Sequence, residues 1–148
     1  MANIFDVAKY ILDTTGGYMS TMKLQKLCYY SQAWNLVWEN EPLFEEEFQA
    51  WVNGPVNMDL FQVHKGEMSI SYKEIPDGLK QNLLTEKQIL NIQQVLNFYG
   101  DKTGAWLSEL SHKESPWLDA RGDLPPSKIS SKVISKSSIR NYYLSLTN

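Results

Sequence analysis

One cysteine, Cys28, and two histidines, His64 and His112, are all that this 148-residue chain offers of the side chains most often found on metals or as nucleophiles. A lone thiol excludes an internal disulfide and fits a reducing compartment. Two histidines without His-Glu-x-x-His spacing or Cys partners leave no zinc pattern. No Gly-x-Ser-x-Gly elbow occurs, and Gly16-Gly17 stands without the Gly-Lys-Ser/Thr ending of a phosphate loop. Apolar runs break within a few residues, too soon for a membrane span. The start, Met1 to Asp6, has neither a basic region nor an apolar signal core. These absences set the expectation of a cytoplasmic protein with no metal, no cofactor and no catalytic residues.

Aromatic residues are what the chain has in quantity. Five Trp, eight Tyr and five Phe, within 43% hydrophobic residues, are enough to build a core. We expect one domain over 1–148. Net charge is −3, but five basic residues against Asp123 from Arg121 onward leave the first 120 residues at −7. That body lacks the basic face of a nucleic-acid binder and suits a basic protein partner.

Apolar spacing predicts mainly α structure with a small two- or three-stranded β element, an α+β fold. Asn3 caps a first helix over 4–14, which Gly16-Gly17 ends. A second, over about 22–38, carries Leu24, Leu27, Cys28, Ser31, Trp34 and Trp38 on one stripe and Tyr30, Ala33 and Val37 on the next. Lys23, Lys26, Asn35 and Glu39 are expected on its wet side. Phe48 to Val52 alternates as a strand that Gly54-Pro55 breaks, and Asn57 caps a helix to about Lys65. Ser69 to Ile75 is expected to pair with the Phe48 strand, before a turn at Pro76-Asp77-Gly78. Thr85 and Gln88 open a helix ending at Gly100, and another covers about 103–112. Ser115-Pro116 starts a short turn. A break at Gly122 to Pro126 leads to a strand at Ile129, Val133 and Ile134. A final helix follows, capped by Ser137 or Ser138.

The candidate sites each have a plain structural reading. Cys28 and the histidines fit helix faces facing the core. Glu45, Glu46 and Glu47 lie in a wet loop, where carboxylates keep ordinary pKa values; a solvated face or a contact for a basic partner suits them better than acid–base work. Lys128, Lys132, Lys136 and Arg140 would make a basic ridge only on one helix, which the serines and β-branched residues between them oppose. Trp51 faces away from Phe48 beside the Gly-Pro turn, where it packs into the core or anchors a partner. Gln25, Tyr30 and Gln32 are polar positions on a largely buried helix and form either a hydrogen-bond network or, with His112, a ligand pocket.

Three segments in order carry a family resemblance: Lys23-Leu24-Gln25-Lys26-Leu27-Cys28-Tyr29-Tyr30-Ser31-Gln32-Ala33-Trp34; Phe48-Gln49-Ala50-Trp51-Val52-Asn53-Gly54-Pro55-Val56; and Leu107-Ser108-Glu109-Leu110-Ser111-His112-Lys113-Glu114-Ser115-Pro116-Trp117. Together they resemble the Panacea antitoxin domain, the SocA-like or GepA-like phage-associated family, over roughly 20–121. Ile139 to Tyr143 is similar to the family's ending. The resemblance implies a mainly helical domain that neutralises a toxin encoded beside it by direct contact, without catalysis. It also implies an alternative, an adaptor that delivers its client to a protease. Some members add a DNA-binding domain; about 20 residues before the first motif are too few for one. Contact is expected at Trp51, Asn53, Gly54, Pro55 and Val56, at Glu45 to Glu47, and on exposed parts of the second helix. A third reading is a small-ligand enzyme using a polar pocket near Gln25, Tyr30 and His112.

Overall fold

Asn3 accepts from Asp6 N while Asp6 returns a bond to Asn3 N, and this reciprocal cap opens helix α1, Ile4–Thr14. The computed structural model of the protein describes residues 1–76 and 83–147. The chain continues through β1 (Tyr18–Ser20), α2 (Thr21–Glu39), β2 (Phe48–Trp51), β3 (Gly54–Val56), α3 (Met58–His64) and β4 (Ser69–Ser71). Then follow α4 (Glu86–Tyr99), α5 (Gly104–His112), α6 (Ser115–Arg121), β5 (Val133–Ile134) and α7 (Lys136–Ser145). Helices dominate, and two small antiparallel sheets, ordered β1-β4 and β3-β2-β5, complete an α+β fold.

Helix α2 is the axis of the molecule. It packs against α1, α4, α5 and α7, and the apolar core draws on all seven helices among the described residues. Being covered on every side, α2 buries its polar side chains too. Lys26 and Asn35, expected on a wet face, are fully enclosed. Residues 40–57, with the β2–β3 hairpin among them, lie over that face, and the polar side chains bond their backbone. Asn35 Nδ2 reaches Glu41 O at 3.0 Å. Gln32 holds Leu43 N and Phe44 O, both at 2.7 Å. Lys26 Nζ donates to Pro55 O at 3.2 Å. Gln25 brackets Asn57, accepting from its N at 2.9 Å and donating to its O at 3.1 Å. Buried polar groups must find partners, and here the partners are backbone groups of loops and of the edge strand β3.

Other expectations change. Gly54-Pro55 does not end the sheet but starts β3, which turns back on β2 with Ala50 opposite Pro55. Proline is tolerated because β3 is an edge strand. Ser69–Ser71 pairs with Tyr18–Ser20 and not with the Phe48 strand; Tyr18–Ser20 is too short to show a period of two. A 3-10 turn at Tyr72–Glu74 follows it. The Pro76-Asp77-Gly78 turn lies outside the described residues from Asp77 on. Ile129 lies outside β5, α6 takes Glu114 as N-cap, and α7 takes Ser135.

Candidate interaction surfaces

The β2–β3 hairpin is fastened from behind, one backbone group at a time, by side chains of α5 and α6. Arg121 Nη1 donates to Ala50 O at 2.9 Å, and Trp117 Nε1 donates to Trp51 O at 2.7 Å. Ser108 Oγ donates to Asn53 O at 2.6 Å, and His112 packs on the Trp117 ring with centres 4.4 Å apart. Three of the four residues from Ala50 to Asn53 are thus held by one short stretch of chain, which gives the Leu107 to Trp117 segment a physical task. Gly54 completes the fit. Its φ is +111°, and a Cβ there would come within 2.6 Å of Ser111 Oγ and 2.7 Å of Lys26 Cε. Gly54→Ala is expected to lower stability by about 2–4 kcal/mol through backbone strain and overpacking, read as a lower urea midpoint with an unchanged slope.

In front of the hairpin lies a groove of about 600 Å³ between the first turns of α2, α3 and residues 129–131. Its walls are largely apolar: Met22, Val56, Met58, Phe61 and the Trp51 ring, the last at 4.8 Å edge-on to Phe61. Gln25, Lys26 and His64 supply its buried polar groups, with Gln25 Nε2 at 3.0 Å from His64 Nε2. Burial holds the Lys26 ammonium down to about 7 and also lowers His64. Lys26 has no carboxylate within ion-pair distance among the described residues.

The structure separates the expected contact residues. Asn53 is exposed and Trp51 and Val52 half-buried at the groove, whereas Gly54, Pro55 and Val56 are buried and act as wall and support. Glu45 and Glu47 are exposed at the other end of β2; Glu46 is half-buried and accepts from Ile4 N at 3.2 Å. Gln25, Tyr30, Gln32 and His112 do not share one network. Five residues on a helix turn the side chain by about 140°, so Tyr30 points away from Gln25, and Gln32 lies two turns further along. Gln25 faces the groove, Gln32 the loop at 43–44, His112 the Trp117 ring at 4.4 Å, and Tyr30 donates to Glu114 Oε1 at 2.7 Å.

Sequence reasoning missed a second concavity. A cleft of about 450 Å³ opens between the last turns of α2 and α4, helix α5 and the end of α7. Trp34, Trp38, Phe98, Tyr99 and Trp106 form its sides, and Glu114 lies within it. Trp38, Phe98 and Trp106 are 44%, 63% and 41% exposed, far more than core aromatics. Trp34 Nε1 donates to Tyr99 OH at 3.0 Å, and Tyr99 stacks on Tyr30 at 4.2 Å, so the inner wall is fixed. The one sequence signal was Phe98, which falls outside the apolar face of α4. Among the described residues no group of three His, Cys, Asp or Glu could hold a metal, and no helix is long and apolar enough to cross a membrane.

Against known proteins, the model of the antitoxin SocA-like Panacea domain matches residues 24–118. The match takes in α2, the hairpin and α5, and ends within α6. No curated protein and no solved structure matches. The chain belongs to the SocA-like Panacea antitoxin family.

Proposed function

We propose that this Panacea-family chain is a non-enzymatic interaction module of the cytoplasm that neutralises a cognate toxin protein, encoded by an adjacent gene, through direct binding. Family membership supplies the antitoxin class. The observation that carries a binding mode is the fastened hairpin. Ala50, Trp51 and Asn53 are anchored by Arg121, Trp117 and Ser108, so Trp51 and Asn53 meet a partner without being ordered first. Preorganisation lowers the entropy cost of association, and a partly exposed tryptophan on a rigid turn is a typical anchor. The groove beside it and the exposed Glu45 and Glu47 would extend the contact toward a basic partner.

Co-expression with the product of the neighbouring gene, scoring growth and co-purification together, tests this reading. A toxic neighbour rescued in a stable complex supports it; a harmless neighbour that never co-purifies removes it. Within such a complex, Trp51→Ala with Asn53→Ala is expected to weaken binding at least tenfold while the melting temperature stays within a few degrees. Unchanged affinity would remove the hairpin from the contact surface.

One observation favours a second reading, the proteolytic adaptor. The groove uses the first turns of α2 and the aromatic cleft its last turns, about 16 Å apart along the helix. Two separate concavities suit a protein that holds a client and a protease together. Rescue with falling neighbour levels and no stable complex would select this mechanism over simple inhibition.

A further inference from the structure

Glu114 gives the aromatic cleft a chemistry that the hairpin surface lacks. Its side chain belongs to a residue only 5% exposed, at the junction of α5 and α6. Tyr30 OH and Tyr143 OH both donate to Oε1, each at 2.7 Å. No hydrogen bond or ion pair reaches Oε2 among the described residues. A carboxylate oxygen accepts about two hydrogen bonds, so the cleft contains an open acceptor with no counter-charge. Burial raises the Glu114 pKa while the two tyrosine bonds pull it back. Donors aimed at Oε1 favour the ionised form, and an opposite charge at Oε2 would favour it further.

The walls ask for the same occupant. Trp and Tyr rings carry a negative face that attracts cations, most strongly where water is displaced. The rim already shows this preference, since Lys102 Nζ stands 5.1 Å from the Trp106 ring centre. Trp34 and Trp38 lie against each other at 5.5 Å, and Phe98 meets Tyr99 edge-on at 4.7 Å. Aromatic sides with a buried carboxylate are complementary to a cation on an apolar stem. They are mismatched to an anion, which would meet both the ring faces and Glu114.

We infer that this cleft receives an arginine side chain of a basic protein partner, with its guanidinium on Glu114 Oε2 and its stem between Trp38, Phe98 and Trp106. Arginine suits it better than lysine because a planar guanidinium stacks on tryptophan while donating several N–H groups in one plane. The charge of −7 on the first 120 residues draws such a partner. The inference rests on the antitoxin reading only in that the cation arrives on a protein.

Butylguanidinium, titrated into the isolated full chain, tests the cleft without the partner. N-butylurea, which is neutral and of similar shape, is the control. The indole N–H resonances, assigned by single Trp→Phe replacements, report which rings are touched. Butylguanidinium is expected to shift Trp34, Trp38 and Trp106 saturably, with a Kd on the order of millimolar, and to leave Trp51 and Trp117 in place. Glu114→Gln keeps an acceptor for the two tyrosines but removes the charge, and is expected to weaken binding at least tenfold. Should that variant fail to fold, Trp106→Ala at the exposed rim decides, with an expected loss of several fold. Absence of a saturable shift, equal binding of butylurea, or undiminished binding by the variant that is tested would overturn the inference. A stable complex with the neighbouring gene product but no probe binding would overturn this inference alone. Probe binding alongside a harmless neighbour that never co-purifies would uphold the cation site and remove the antitoxin reading.

Discussion

Arg121→Ala is expected to lower stability by about 3–4 kcal/mol, enough to shift the melting temperature by roughly 10 °C in a domain of this size. Arg121 is 4% exposed and has no carboxylate partner among the described residues. Its charge is solvated by backbone carbonyls instead. Nη1 donates to Ala50 O at 2.9 Å; Nη2 donates to Pro125 O at 2.9 Å, to Pro126 O at 3.4 Å and to Lys128 O. The guanidinium also lies 4.9 Å from the Trp117 ring centre. One side chain therefore ties the hairpin to the segment that leads into β5, and its loss leaves several carbonyls without donors. The cost sits below that of a broken buried ion pair because residues 125, 126 and 128 are exposed and water can replace some of the bonds. Arg121→Lys is expected to recover less than half, since one ammonium cannot span Ala50 O and the 125–128 carbonyls together. Urea unfolding of the three proteins checks this. Equal midpoints would mean that the carbonyls are served by water in the native state and the clamp contributes nothing.

Local signals in the sequence were legible where structure is local. The Asn3 cap, the Asn57 cap and the Thr85 and Gln88 box announce three helix starts, and each cap is made as the residue types require. The alternation of Phe48 to Trp51 likewise places Phe48 and Ala50 inward. What could not be read is who covers whom. Lys26 and Asn35 look like a wet face because polar residues at helical spacing normally are one. They are buried because the segment from 40 to 57 folds over them, and for Lys26 that cover comes from Pro55, 29 residues away in the chain. Glu114 is harder still. It was visible only as a charged residue before Ser115-Pro116, and its meaning depends on Tyr30 and Tyr143, at sequence separations of 84 and 29. The pairing of β1 with β4 fails to show for the opposite reason: three residues cannot display a period. The aromatic cleft escaped because tryptophans at i and i+4 look the same whether a fourth helix covers them or water does.

Lys26→Met is expected to remove a pH dependence that the wild-type chain should show just above neutrality. Burial holds the Lys26 ammonium down to about 7, against about 10.5 for a free lysine. Below about pH 7 both folded and unfolded chains carry the proton, and stability does not change with this group. Between about 7 and 10.5 the unfolded chain binds a proton that the folded chain does not, so stability rises with pH at about 1.4 kcal/mol per unit. Other groups oppose this at higher pH. Burial pushes the Cys28 thiol above its ordinary value of 9.0 and the Tyr29, Tyr30, Tyr99 and Tyr143 hydroxyls above 10.0. The folded chain then keeps protons that the unfolded chain loses, and stability falls. The clean window is therefore pH 7 to 8.5, over which wild type is expected to gain about 1.5 kcal/mol. In Lys26→Met that gain should vanish. At pH 7 the variant should be the more stable by about 2–3 kcal/mol, because the ionisation penalty outweighs the single bond to Pro55 O and a methionine fills a similar volume. Urea unfolding of both proteins at the two pH values decides. A wild-type slope that persists in the variant would place the titrating group elsewhere, and a variant less stable at pH 7 would mean that the Pro55 bond is worth more than the burial of the charge.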